Sequence, residues 1–291
     1  MQQRFEELRA QGIGVAAISY DPRDVLARFA QRRDITDVPL LSDNDSSTIR
    51  AFGIYNYVAE HGFGSDVGDP ALEAEYARYV SVLGPQKKVI GTPFPGSFMV
   101  DREGRVTARF FEEFYRERNT VANIMLRQAK PLAGVAGDST ETAHLRIAPS
   151  QSDREVATGS RFHVALDITP KAGMHVYAPG AEELGYQVIR LELETQDSLR
   201  VLPVDYRPSE IHHFAALNER IPAYKRPFRL VQELVVNASE QDVERISQLD
   251  ALHLRGRLDY QACNDRVCFD PASVPLAWTV GLTPLDRQRA R

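Results

Sequence analysis

Cysteine is nearly absent from this sequence: there are two in 291 residues, Cys263 and Cys268, five positions apart. A pair so close together cannot be the disulfide framework of a small secreted fold, and no thiol at all precedes residue 263. Long apolar runs are missing too; none approaches the roughly 18 residues that a membrane-crossing helix requires. The first ten residues, MQQRFEELRA, lack the apolar stretch of an export signal. A net charge of −5 leaves no basic footprint for nucleic acid. These gaps exclude a disulfide scaffold, a transmembrane helix and a nucleic-acid binder, and no motif calls for a cofactor.

What remains is a globular composition, 43% hydrophobic and 26% charged, with a length that fits two domains of ordinary size. Up to about residue 130 the pattern alternates helix and strand. Phe5 and Leu8 share a helical face, Gly12 and Gly14 end it, and an apolar strand follows over 15–20. Helices are expected over 22–33, 46–52 and 117–128, and a short strand over 39–41. Strands over 97–100 and 106–111 flank the turn Asp101–Gly104, a hairpin signal. The stretch 62–80 reads as an insertion with one amphipathic helix, Leu72, Tyr76 and Tyr79 on its apolar face.

Residues 131–143 are small, polar and aperiodic, which predicts a linker. Beyond them the period changes to two, at 162–168, 189–193, 228–236 and 252–260, with a single helix expected at 240–249. Short alternating strands at this spacing predict an antiparallel β-sandwich over 144–284, followed by a tail at 285–291. Trp278 falls on the apolar phase and is expected in the core.

On a straight strand Cys263 and Cys268 would lie about 16 Å apart, from a rise of about 3.3 Å per residue. A helix would separate them by about 7.5 Å and turn them apart. A disulfide needs Cα atoms about 4.4–6.8 Å apart, so a bond requires residues 264–267 to fold back sharply, and Asn264 and Asp265 are turn formers. Closing so short a loop removes only about 2 kcal/mol of unfolded-chain entropy. The pair is therefore a poor staple and a well-placed redox switch, with Tyr260 and Phe269 flanking the sulfurs; a bond that only locks a loop remains the rival. A zinc site is disfavoured, since no histidine lies near in sequence.

The stretch YQACNDRVCFDPASVPLAWTV, residues 260–280, resembles the N-terminal periplasmic domain of the thiol:disulfide interchange protein family typified by DsbD. The resemblance extends to Gly173-Met174-His175-Val176-Tyr177-Ala178-Pro179 and covers residues 144–282; the cysteine spacing is one residue shorter than in some members. It implies an immunoglobulin-like sandwich that exchanges electrons with thioredoxin-like donor or acceptor proteins through a mixed disulfide, in the periplasm or another exported setting. It also implies Cys268 as the partner-bonded sulfur and a cap loop at 210–214 with Phe214 as lid.

Residues 14–128 resemble the later part of an AhpC/TSA-type redoxin of the thioredoxin-like fold. The carrying segments are Val15–Asp21, Pro39–Asp43, Phe52–Ile54 and Pro95–Gly104. That resemblance implies a cis-proline at Pro95, with Pro93 as rival. It also makes the half over 1–130 incomplete, because the family's first strand and catalytic cysteine have no counterpart. A missing strand and leader predict that Met1 is an internal start of a longer exported chain.

The remaining candidates read more simply as ordinary structure. His212 and His213 would point to opposite faces of a strand and are expected as solvated loop residues with no metal. Glu112 and Glu113 read as a solvated strand end, not as paired acid–base carboxylates. The expected function is thiol:disulfide exchange through Cys263 and Cys268. The alternatives are a non-catalytic partner-binding protein, or a peroxidase whose nucleophile lies upstream of Met1.

Overall fold

The computed structural model describes residues 1–56, 77, 93–111, 116–214 and 218–283. The expected helix with Leu72, Tyr76 and Tyr79, the pair Glu112 and Glu113, and the tail lie outside the described residues. The chain separates into two compact units between Tyr115 and Arg116.

In the first unit, helix α1 (Phe5–Ala10) buries Leu8 and precedes strand β1 (Ala17–Ser19). Helix α2 (Arg23–Arg32) leads to strand β2 (Leu40–Ser42), which pairs with β1 in parallel. Helix α3 (Ser47–Ala51) starts where the Asp43 carboxylate accepts the amides of Thr48 and Ile49 at 3.1 and 2.8 Å. Strands β3 (Ser97–Val100) and β4 (Val106–Phe110) form the expected hairpin, its turn held by the Asp101 carboxylate accepting the Glu103 and Arg105 amides. The Phe94–Pro95 peptide is trans, as are all described peptide bonds. That corrects the cis expectation, which rested on resemblance alone; an X–Pro bond prefers trans by about 0.5–1 kcal/mol unless its surroundings force it.

The second unit begins earlier than the sequence suggested. Strand β5 (Arg118–Asn119) pairs with β10 (Ser160–Pro170), so the expected helix over 117–128 shortens to α4 (Val121–Arg127), capped by the Thr120 hydroxyl. Its Arg127 and Asn123 bond Glu233 at 2.7 and 3.2 Å, which ties the helix to β16 (Phe228–Val236). The supposed linker is likewise edge strand. β6 (Val135–Ala136) and β7 (Thr140–Glu141) both pair with β8 (Leu145–Gln151). Its small residues permit close backbone approach: a Cβ on Gly134 would sit 2.8 Å from the Gln151 carbonyl.

One sheet runs β13 (Leu199–Tyr206), β16, β10, β8 and β6, with β5 and β7 paired at its side. A second runs β12 (Arg190–Leu193), β17 (Ala251–Tyr260), β19 (Ala272–Leu282) and β9 (Glu155–Val156). Alternating residues of both enter one core: Phe162, Leu166 and Ile168 from β10, and Leu252, Leu254 and Leu258 from β17. Each such side chain contributes about 1.5–3 kcal/mol by leaving water. Trp278 joins them as expected, its indole N–H donating to the Ser150 carbonyl at 3.1 Å. Helix α5 (Glu240–Ile246) opens with a capping box between Ser239 and Asp242.

A third sheet, of four short strands, carries the cysteines: β14 (Glu210–Phe214), β15 (Glu219–Tyr224), β11 (His175–Tyr177) and β18 (Ala262–Cys263), in that order. This unit is thus largely β, with little helix.

Candidate functional site

Cys263 and Cys268 are disulfide-bonded, with Cα atoms 4.0 Å apart. The intervening residues make a two-residue hairpin: the Asn264 amide donates to the Val267 carbonyl at 2.9 Å, and the Phe269 amide to the Ala262 carbonyl at 2.9 Å. The cysteines face each other between those bonds, at the position of an antiparallel ladder where opposed residues come closest. The Asn264 side-chain oxygen accepts the amides of Arg266 and Val267, both at 2.8 Å. An asparagine that bonds the backbone two and three residues on sets such a turn by itself.

The two sulfurs are not equivalent. Cys263 is 1% exposed, while Cys268 lies among the exposed residues 265–268. The Tyr177 hydroxyl is 3.2 Å from both sulfurs. Neither oxidised sulfur carries a hydrogen, so the phenol is the donor. Burial, helped by the negative Glu219, pushes the Tyr177 pKa up, so its O–H stays protonated. Tyr186 stacks on Tyr177 with ring centres 4.4 Å apart, and its own hydroxyl donates to Glu219, which pushes its pKa up to about 12.

β11 brings Tyr177 here because Gly173, at φ +76°, turns the chain into that strand, a conformation a side chain would resist. His175 is then directly opposite Cys263 in the β11–β18 register. Its ring packs 4.3 Å from that of His212, and both histidines are buried. Burial, with His212 and Lys225 nearby, lowers the His175 pKa to about 4; burial likewise lowers that of His212. Both rings are therefore neutral near pH 7.

Several expectations change here. The segment 210–214 is strand β14 and not a loop; its pairing with β15 runs from Glu210 to Phe214. Phe214 packs on the cluster of Tyr177, Ile221, Ala223 and Cys263. His212 is a buried strand residue, not a solvated one, whereas its neighbour His213 is exposed and faces Asn218 at 3.2 Å. Tyr260 and Phe269 do not flank the sulfurs. Period two sends Tyr260 and Ala262 to the main core and Cys263 to the other face, and Phe269 stacks on His144 at 4.5 Å. The Tyr260 hydroxyl donates to Thr142 at 2.9 Å. Tyr177 and His175 were present in the quoted motif, but nothing local assigned them to the sulfurs; only strand pairing did. With the disulfide formed, no group of three or more His, Cys, Asp or Glu side chains among the described residues is placed to hold a metal, and no described helix is long and apolar enough to cross a membrane.

Among solved structures, the N-terminal periplasmic domain of ScsB from Proteus mirabilis is similar at 14% identity and a TM-score of 0.36, over 51% of this chain and 52% of that one. The alignment thus spans about half the length of each. No curated protein matches the chain. Residues 1–109 match the family model of the AhpC/TSA family. Residues 1–109 are thus similar to the AhpC/TSA family, and both cysteines of the chain lie outside the matched stretch.

Proposed function

We propose that this chain is a thiol:disulfide exchange protein of a periplasmic reducing pathway, with Cys263 and Cys268 as its redox centre and an immunoglobulin-like sandwich over 144–284 as the scaffold. The observation that carries this reading is the asymmetry of the disulfide: an exposed Cys268, a buried Cys263 and a phenol within reach of both sulfurs. A bond between adjacent strands whose turn Asn264 already holds adds little as a staple. The export assignment rests on the disulfide, which persists in oxidising compartments.

A thioredoxin-like donor's thiolate attacks the Cys268 sulfur, the S–S bond breaks, and its electron pair goes to Cys263. The Tyr177 hydroxyl donates to that new thiolate. The donor's second thiolate then attacks its own sulfur in the mixed disulfide, leaving as its own disulfide and releasing Cys268 reduced. Passing the electrons on reverses the roles: the Cys268 thiolate attacks an oxidised partner's disulfide, and Cys263 resolves the mixed species. Phe214, against the Cys263 cluster, is the lid such a reaction would shift.

Equilibration of the full chain with thiol buffers tests the reading. An exchanging pair has a reduction potential above about −300 mV and is reduced within minutes by a thioredoxin-like dithiol. A potential well below that value, with no reduction by the dithiol, would identify a purely structural bond.

A further inference from the structure

His175 and His212 are 2% and 5% exposed, and three of their four ring nitrogens, Nε2 of His175 and both of His212, have no hydrogen-bond partner. Leaving a buried polar atom unpaired forfeits its hydration with nothing in return. Three such atoms in two touching rings are an expense that packing alone does not explain, because an apolar side chain of the same size would avoid it.

Their position supplies a reason. His175 and Cys263 are cross-strand partners, and such partners share a sheet face with Cβ atoms about 4.5–5.5 Å apart. His212 rests on His175, and Cys268 is bonded to Cys263, so two imidazoles and two sulfurs converge on one face of the four-stranded sheet. While the sulfurs are bonded to each other, only the imidazoles can bind a cation. Reduction doubles the ligand set.

We propose that reduction of the Cys263–Cys268 bond turns this face into a metal site of two thiolates and two imidazoles for a zinc-type cation, which withdraws the thiols from exchange while it is bound. Thiolates and imidazoles are the soft and borderline ligands that suit such ions, and two of each complete a tetrahedral set. Two thiolates also neutralise the divalent charge, so the filled site carries no net charge into its buried surroundings. The exposed Cys268 gives the ion a way in. The balance is simple: a dithiol donates two electrons and two protons and becomes a disulfide, this chain's disulfide becomes two thiols, and the cation displaces both thiol protons to solvent.

The proposal rests on the exchange reading only in requiring a reducible disulfide, and a phosphine reductant supplies that without any protein partner. The full chain, reduced with a phosphine under argon and freed of reductant, is titrated with Co2+ and then Zn2+. A single equivalent of Co2+ should give thiolate charge-transfer absorption and the visible bands of a tetrahedral ion, and Zn2+ should abolish both. The oxidised chain should give neither. His175→Ala and His212→Ala should each weaken Zn2+ binding by more than about tenfold, a loss that even outer-shell substitutions commonly reach. Zinc-edge X-ray absorption on the unaltered reduced chain guards against variants that fail to fold; it should show two sulfur and two imidazole ligands. Absence of binding by the reduced chain, equal binding by the oxidised chain, or a zinc shell without imidazole would overturn the metal site while leaving the measured reduction potential, and the exchange reading, untouched.

Discussion

The described strands of the first unit pair two by two, β1 with β2 and β3 with β4, and the register partners Ile18 and Leu41 remain 42% and 48% exposed. In the second unit larger sheets close over Phe162, Leu166 and Ile168, none of which reaches solvent. The family match falls on the first unit, and both sulfurs fall on the second. A reactive pair needs its geometry held by side chains that cannot themselves move, and only the second unit offers that support around cysteine. The contrast teaches that a family match reports the descent of a fold, whereas chemistry has to be read from the site.

The contrast can be broken most sharply at the sulfurs. Cys268→Ser should abolish exchange with a dithiol or disulfide partner, whereas Cys263→Ser should leave the Cys268 thiolate able to attack an oxidised partner's disulfide, forming a mixed disulfide that Cys263 can no longer resolve and that accumulates on a non-reducing gel. Equal trapping by both variants would remove the distinction between the exposed and the buried sulfur. Next in size, Leu166→Ala should cost about 2–5 kcal/mol by denaturant unfolding, while Ile18→Ala on the exposed face of β1 should stay within about 0.5 kcal/mol. Comparable losses at both positions would show that the first unit is as tightly built as the second.

Acid should act on the second unit through its buried histidines. In the unfolded chain His175 titrates near 6.5, and in the fold its pKa is lowered to about 4. The ring is neutral in both states above that range. As pH falls from about 6.5 toward 4 the unfolded state takes up a proton that the fold refuses, so stability declines; below 4 this group adds no further loss. Allowing for screening by solvent, the decline is on the order of 2 kcal/mol, with His212 adding in the same direction. His175→Phe should flatten that limb in unfolding curves followed against pH.

A smaller effect is expected from Tyr177→Phe. Losing a hydrogen bond to a charged sulfur, about 1.5 kcal/mol or more, should slow reduction by a dithiol about tenfold. Smaller again, Asn264→Ala removes the two bonds that set the turn and should cost about 1 kcal/mol of stability while leaving the disulfide formed.

Much of this was legible from residue order, for identifiable reasons. The strand over 228–236 was read at its full extent because period-two alternation is local, and the strand over 97–100 because the hairpin turn beside it is local too. The turn at 264–267 was anticipated from Asn264 and Asp265. What stayed hidden was pairing at a distance. Nothing near residues 131–143 announced that β8 needed neighbours on its edge, and nothing near His212 announced that β15 would carry it toward His175. The cis expectation at Pro95 failed because a resemblance transfers a backbone state only where the groups that enforce it are transferred too.

The hairpin beneath the disulfide has one more consequence. Its amide of Asn264, its carbonyl of Val267 and the side chain of Asn264 are all joined independently of the sulfur–sulfur bond. Cleaving that bond therefore leaves the two cysteines opposite each other, preset for reclosure. The covalent change is confined to two atoms, and the chain can cycle between oxidised and reduced forms with little reorganisation of its backbone.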